Sequence, residues 1–146
     1  MQPVSRKLEY GLRAMLFLAS QEEGSVVPFR EVARRMDVPE DFLAKILKTL
    51  VRQKLLYSTR GPKGGFALAK PASSISFLDV IEAVQGPIQL NLCTDNHAAC
   101  HFGEACTMWG VWRLGQERMM EVYRAAKLDK LAIRGFLNTS NEGDRV

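Results

Sequence analysis

One segment of the chain, residues 28–68, constrains the fold more than any other feature. Two short stretches within it, 29–36 and 40–53, carry apolar residues at helical spacing, and Asp37 falls where a tight turn would join them. Pro39 suits the first turn of the second helix, because the backbone N–H that proline lacks would have no partner there. Two short helices joined by so short a turn predict a helix-turn-helix.

The residues that follow predict a β-hairpin. Leu55–Thr59 and Phe66–Leu68 read as short strands, and the connection Arg60–Gly65 between them contains three glycines. Glycine adopts the left-handed conformations that hairpin turns need. A helix-turn-helix followed by a hairpin is a winged helix. The predicted fold class is therefore mainly α: a winged helix-turn-helix with a small β-hairpin wing and a long C-terminal dimerisation helix.

Positive charge is concentrated in this same part of the chain. Residues 27–70 contain ten Lys and Arg against four Asp and Glu, a net charge of +6, whereas the whole chain carries only +4. The remainder therefore carries −2. Such an uneven distribution favours a polyanionic partner. An ordinary solvated surface is the alternative.

We expect the second helix of the helix-turn-helix to enter the major groove of double-stranded DNA. The hairpin tip would then reach an adjacent minor groove, where cationic side chains are attracted. The residues predicted to contact DNA are Arg34, Glu40, Asp41, Lys45, Lys48, Arg52, Arg60 and Lys63. Two copies would read an inverted-repeat operator. The alternative is that these charges only solvate a helix face.

Helical spacing also predicts helices before and after this segment, from about Ser5 to Gln21 and from Ser76 to about Gln85. Ser76 and Asp79 form a capping-box pattern. The predicted organisation is a DNA-binding domain (1–86), a cysteine-bearing loop (87–106), a dimerisation helix with a C-terminal arm (107–138) and a flexible tail (139–146).

A long helix is predicted from about Thr107 to Leu128, with a regular apolar seam. The seam residues follow one another at steps of three and four, the spacing of two helices that pack side by side. They are Met108, Trp112, Gly115, Met119, Val122 and Ala126. Gly115 would let a second backbone approach closely. We expect a homodimer; packing of this face onto its own domain only is the alternative.

The three cysteines of the chain all lie in or at the end of the one stretch without periodicity. Six residues separate Cys93 from Cys100, and five separate Cys100 from Cys106. These gaps are looser than those of structural zinc sites and suit a loop around a larger object. Thiolates are the usual ligands of iron–sulfur clusters, which commonly take four protein ligands, so a fourth would come from elsewhere.

Two alternatives to a cluster stay open at this point. His97 and His101 lie in the same loop, so the chain could instead hold zinc through three cysteines and a histidine. The cysteines could also act as a thiol redox sensor that pairs on oxidation.

Other classes of protein are disfavoured. The longest apolar run, 14–19, is far shorter than the roughly 20 residues of a membrane-spanning helix, and the polar, basic N-terminus does not resemble a secretory signal. We therefore expect a cytoplasmic protein without a membrane partner. No catalytic arrangement is visible either: Cys100 and His101 are adjacent, and adjacent side chains rarely face each other.

Several stretches together resemble one family, the Rrf2 family of bacterial winged-helix regulators, which includes the iron–sulfur-assembly regulator and nitric-oxide-sensing repressors. The resemblance spans about Val4 to Leu128. It rests on the three loop cysteines and on four segments: Glu31–Arg35, Phe42–Leu50, Ser58–Pro71 and Ile75–Val84.

The resemblance implies a homodimer on promoter DNA that carries a 4Fe-4S or 2Fe-2S cluster on Cys93, Cys100 and Cys106. An acidic residue early in the first helix completes the coordination across the dimer in some members, and Glu9 is the matching position. Its alternative role is an ion pair with Arg13, one helical turn away. The assembly-regulator subgroup has a histidine ligand three residues after the third cysteine, where this chain has Trp109. The resemblance is therefore greater to the nitric-oxide- and iron-responsive subgroups.

Overall fold

The structure is a computed structural model that describes residues 4–96 and 100–132. His97, the end of the predicted C-terminal arm (133–138) and the tail 139–146 lie outside the described residues.

Within the described residues, seven helices and two strands follow one another, with single 3₁₀ turns at Ala72–Ser74 and Gly103–Ala105. They are α1 (Arg6–Ala19), α2 (Phe29–Met36), α3 (Glu40–Arg52), β1 (Leu56–Thr59), β2 (Gly65–Leu68), α4 (Phe77–Gln85), α5 (Leu92–Asp95), α6 (Trp109–Ala125) and α7 (Leu128–Leu131). The strands pair antiparallel, with Leu56 opposite Leu68 and Thr59 opposite Gly65. The predicted fold class, a mainly α winged helix-turn-helix with a small hairpin wing, is confirmed.

Local sequence explains where several helices begin and end. The Ser5 side chain accepts a hydrogen bond from the Leu8 N–H at the start of α1. Ser76 and Asp79 form a complete capping box at the start of α4, as predicted. Asp37 ends α2 in the left-handed conformation, with φ of 51°, and so makes the tight turn into α3.

The core lies between α1, α2, α3 and α4. Gly11 is buried where α1 crosses α4, and a Cβ added there would lie 3.1 Å from the Val84 Cγ2 atom and 3.4 Å from the Ile46 Cγ2 atom. The absence of a side chain at Gly11 thus lets α1 approach α3 and α4 closely. This packing fixes the position of α3 in the domain.

The wing is anchored to the segment before α2. The Val27 N–H donates to the Phe66 carbonyl oxygen and the Phe66 N–H donates to the Val27 carbonyl oxygen, both at 2.9 Å. A Cβ added at Gly65 would lie 2.0 Å from the same Val27 carbonyl oxygen. Glycine is therefore required at position 65, because the backbone of β2 presses directly against the backbone at Val27.

The long helix ends earlier than the sequence pattern predicts. α6 stops at Ala125 instead of Leu128, and Lys127 forms an antiparallel bridge with Ser76. The Phe77 N–H donates to the Ala126 carbonyl oxygen at 2.8 Å, and the Leu128 N–H donates to the Ile75 carbonyl oxygen at 3.0 Å. Leu128 is then fully buried in the core beside α1. These contacts replace a further helical turn.

The stretch without periodicity contains only short structure in its described part. α5 is a single turn, and the 3₁₀ turn Gly103–Ala105 precedes Cys106. Among the helices of the described residues, none combines the length and apolar character that crossing a bilayer requires.

Candidate DNA-binding surface and cysteine cavity

The outer face of α3 carries a stripe of charged side chains. Asp41, Lys45, Lys48 and Arg52 follow one another at steps of four, three and four, so they share one face of the helix, and all four are exposed. The opposite face is buried in the core through Leu43, Ile46, Leu47 and Leu50. Because the buried face is fixed, the direction of the charged stripe is fixed as well.

The wing lies beside this stripe. An apolar groove runs between the two and is lined by Phe29, Ala44, Lys48, Val51, Ser58 and Phe66. Lys48 therefore lies where α3 faces the strands of the hairpin. Arg60 and Lys63 are exposed near the hairpin tip, and Arg34 is exposed on α2. The structure places α3 and the wing next to each other, as a winged helix that binds DNA requires.

Two of the predicted contact residues are acidic and have a second role. Glu40 and Asp41 occupy the first turn of α3, and Pro39 before them supplies no side-chain cap. Negative charge is favourable at a helix N-terminus. Both carboxylates therefore stabilise the start of α3 whether or not they contact DNA.

The three cysteines line one cavity of about 340 Å³. Cys93 lies in α5, Cys100 precedes the 3₁₀ turn and Cys106 follows it, and each is half-buried. The rest of the cavity wall is mainly apolar and comprises Asn91, Leu92, His101, Phe102, Met108 and Trp112. The three cysteines, which the sequence places in one loop, thus also line one cavity in the structure.

Lining one cavity does not by itself make the three cysteines a metal site. Within residues 4–96 and 100–132, no three His, Cys, Asp or Glu side chains form a group that would hold a metal ion. A zinc ion would need its thiolate ligands at about 2.3 Å from one centre. The described residues therefore do not form a preassembled zinc site.

Helix α6 holds the first part of the cysteine loop by hydrogen bonds. The Trp109 indole N–H donates to the Cys93 carbonyl oxygen at 3.1 Å. The Gln116 side-chain oxygen accepts from the Leu90 N–H at 2.9 Å and lies 2.8 Å from the Thr94 hydroxyl. Sequence reasoning did not identify Trp109 or Gln116 as functional, because a residue's partner 16 or more positions away leaves no periodic signal.

A long face of α6 is left without a partner in the single chain. In the described part of the chain, no residue of α6 is buried. Of the predicted seam, Met108, Trp112, Gly115 and Val122 are exposed, whereas Met119 and Ala126 are half-buried. Val111 and Leu114, which the seam did not include, are 73% and 50% exposed. The exposed apolar face is therefore centred slightly to one side of the predicted seam.

Glu9 lies on α1 and does not line the cysteine cavity of its own chain. It forms the ion pair with Arg13 that the sequence offered as its alternative role, with the Glu9 side chain 48% exposed. The Arg13 guanidinium also lies 5.8 Å from the centre of the Tyr10 ring. Glu9 is thus accessible from outside the chain.

Comparison with known proteins decides the family. The family described as Rrf2, "Iron-dependent Transcriptional regulator", matches residues 4–134. The chain belongs to the Rrf2 family. A protein of Mycobacterium tuberculosis named as an HTH-type transcriptional regulator is 33% identical over 129 residues, which cover 88% of this chain and 80% of that protein. The HTH-type transcriptional regulator IscR of Klebsiella pneumoniae is 30% identical over 143 residues, which cover 98% and 78%.

Solved structures agree with this assignment. CymR, the global cysteine regulator of Bacillus subtilis, is similar with a TM-score of 0.76 and 25% identity, covering 90% of this chain and 97% of that one. IscR of T. potens is similar with a TM-score of 0.70 and 26% identity, covering 89% and 86%. This Rrf2 chain is accordingly a transcriptional regulator and not an enzyme.

Proposed function

We propose that the chain is a homodimeric repressor whose affinity for an inverted-repeat operator is controlled by an iron–sulfur cluster. The cluster would respond to nitric oxide, iron supply or redox state. The observation that supports this most strongly is the single cavity lined by Cys93, Cys100 and Cys106, in a member of a family described as iron-dependent.

The donor set of the cavity fits such a cluster. Soft thiolates are its preferred ligands, and the rest of the cavity lining includes the apolar side chains of Leu92, Phe102, Met108 and Trp112. Three cysteines leave one coordination position for another donor. We propose Glu9 of the partner subunit for that position, since Glu9 is accessible and carries an oxygen donor. His101, which lines the cavity, is the alternative donor within the same chain.

The chain's own residues supply the DNA contacts. Lys45, Lys48 and Arg52 would grip phosphates or read guanine edges from the major groove, while Arg60 and Lys63 would reach the minor groove from the wing. The exposed face of α6 would pack against its counterpart in a second copy. When bound, a cluster would supply iron atoms that react with the signal and link the loop segments carrying the cysteines.

A second candidate has its own support and differs only in the cofactor. CymR, which shares the fold, is described as a cysteine regulator, and the Staphylococcus aureus protein has been solved in an oxidised form. This favours a cluster-free regulator that senses its signal through thiols; a zinc-stabilised site is the related possibility. Visible absorption separates the cluster from both alternatives. A cluster colours the protein brown or red, whereas zinc and free thiols leave it colourless.

We expect wild-type protein purified or reconstituted without oxygen to contain iron and sulfide, and each of Cys93→Ala, Cys100→Ala and Cys106→Ala to lose most of both. The reason is that each substitution removes one of three thiolates from the cavity. Iron and sulfide analysis with visible spectra gives the result. A single variant that retains the full cluster would remove its cysteine from the site, and colourless wild-type protein would contradict the cluster assignment.

The Glu9→Gln variant tests the fourth ligand by the same visible spectra. If Glu9 is a ligand, the variant should show a shifted spectrum and faster loss of the cluster in air, since one iron would exchange an anionic carboxylate for a neutral, weaker amide donor. If Glu9 only pairs with Arg13, an exposed ion pair contributes a few tenths of a kcal/mol and the spectrum stays unchanged.

A further inference from the structure

The segment that carries Cys93 has little of its own to hold it in place. α5 is one helical turn, and an isolated turn of helix is unstable because nucleation fixes several residues for one hydrogen bond. Leu92, the first residue of α5, is 81% exposed, so burial of its apolar side chain stabilises the segment little. What fixes Cys93 must therefore come largely from contacts with other elements.

Those contacts come from two side chains of α6, seven positions apart and so on one face of the helix. Trp109 donates its indole N–H to the carbonyl oxygen of Cys93 itself, at 3.1 Å. Gln116 contacts the chain on both sides of Cys93, through the Leu90 N–H at 2.9 Å and the Thr94 hydroxyl at 2.8 Å.

The chemistry of these bonds fixes the orientation of the Gln116 amide. A backbone N–H can only donate, so the Gln116 atom that faces Leu90 must be the carbonyl oxygen. The same oxygen faces the Thr94 hydroxyl, which also lies 2.6 Å from the Asn91 carbonyl oxygen and can donate to either acceptor. Gln116 therefore acts through an acceptor oxygen, and its NH₂ group is not needed for these contacts.

The Trp109 ring is itself held in position. The Arg113 guanidinium lies 5.4 Å from the centre of the indole ring, a cation–π distance, and Arg113 forms an ion pair with Glu117 one turn further along α6. The indole N–H is thus presented to Cys93 by a ring whose plane is supported by the same helix.

We propose that Trp109 and Gln116 are positioning residues of the cysteine site, and that they hold Cys93 at the cavity wall before any metal is bound. Cys100 and Cys106 lie outside the span from Leu90 to Thr94 that these two side chains grip. The positioning effect of Trp109 and Gln116 is therefore specific to Cys93. For the retention of a cluster this inference rests on the proposed function; for the placement of the Cys93 thiol it does not.

The test uses full-length, metal-free protein and measures each cysteine separately. Iodoacetamide alkylation followed by mass spectrometry gives the rate of Cys93 relative to Cys106, and hydrogen exchange gives the protection of the Leu90 amide. Trp109→Phe and Gln116→Leu should raise the Cys93 to Cys106 rate ratio about three- to tenfold, as expected when a part-buried hydrogen bond is lost. Gln116→Leu should also speed exchange of the Leu90 amide by a similar factor.

Two further variants separate positioning from general destabilisation. Gln116→Glu keeps an acceptor oxygen and should restore wild-type values. Gln85→Leu removes a glutamine that bonds to Ser5, away from the cysteine loop, and should leave the ratio unchanged. The proposal is overturned if the ratio stays at the wild-type value in both Trp109→Phe and Gln116→Leu, if Gln116→Glu behaves like Gln116→Leu, or if Gln85→Leu raises the ratio equally.

Reconstituted protein extends the test to the cluster. Iron release to a chelator should be about three- to tenfold faster in Trp109→Phe and Gln116→Leu than in wild type. Wild-type protein that takes up no cluster would contradict the proposed function, while the alkylation and exchange results would still decide the role of Trp109 and Gln116.

Discussion

Replacing Lys45, Lys48 and Arg60 together with alanine is expected to weaken operator binding about a hundredfold or more at moderate salt. A dimer would lose up to six cations from its DNA-facing surface. Each phosphate contact contributes about 0.9 to the slope of log K against log salt, so the slope should fall by up to about five. The substituted side chains are all exposed, and the fold should be unaffected. Titrations of labelled operator at several salt concentrations measure both effects.

A matched variant controls for the loss of charge alone. Arg124, Lys127 and Lys130 lie near the end of the described chain, outside α3 and the wing, and their replacement by alanine removes the same formal charge. This variant should keep most of the affinity and nearly all of the slope. Wild-type affinity and slope in the Lys45, Lys48 and Arg60 variant would contradict the docking of α3 and the wing on DNA.

Gly115→Glu is expected to convert the proposed homodimer into monomers at micromolar concentration. Within its own chain the substitution is tolerable, because a Cβ at position 115 would lie 3.9 Å from the Leu90 Cδ1 atom, an ordinary contact. Against a second α6 it would place a charge beside the exposed side chains of Val111 and Val122, where it would be buried without a partner. Sedimentation velocity over a range of protein concentrations measures the change.

Gly110→Glu is the corresponding control. It makes the same substitution in the same helix, and a Cβ there would meet nothing within 4 Å. The two positions differ by five residues in number, which places them roughly 140° apart around the helix axis. Gly110 lies one turn before Leu114, at the edge of the exposed face, so Gly110→Glu should weaken the dimer much less than Gly115→Glu does. An unchanged dimer in Gly115→Glu would contradict the assignment of this face to the dimer interface.

Local rules were sufficient to predict the DNA-binding half of the molecule. Three short-range signals each indicated a feature that the structure contains. Asp37 indicated the turn between α2 and α3, the glycines at 61–65 indicated the hairpin, and Ser76 indicated the capping box of α4. The charged stripe on α3 followed from helical periodicity, because the buried residues of an amphipathic helix determine the direction of its exposed face.

Contacts between distant residues were beyond such rules. The apolar periodicity of α6 continues to Leu128, yet the helix stops at Ala125 because the chain pairs with Ser76, about 50 residues earlier. The bonds from Trp109 and Gln116 to the cysteine loop are equally non-local. The sequence could indicate that three cysteines share a loop, but not which side chains of α6 hold that loop.

The position of α6 explains how a change at the cysteines would reach the DNA-binding surface. Its first half bonds to the cysteine loop, and near its C-terminal end Tyr123 packs against Phe77 of α4, with ring centres 5.4 Å apart. α4 in turn packs against both α1 and α3. A displacement of the loop would thus act on α3 through two packed helices. α6 would also carry it to the second copy in a dimer.

Control of DNA binding by the cluster is tested most directly by measuring operator affinity twice on one preparation, first with its cluster intact and again after the cluster has been removed. The two forms should differ about five- to 150-fold, the range of typical coupling between sites. A variant with alanine at Cys93, Cys100 and Cys106 should bind as the cluster-free form does under both conditions. Equal affinity of the loaded and cluster-free wild-type protein would contradict control of DNA binding by the cysteine cavity.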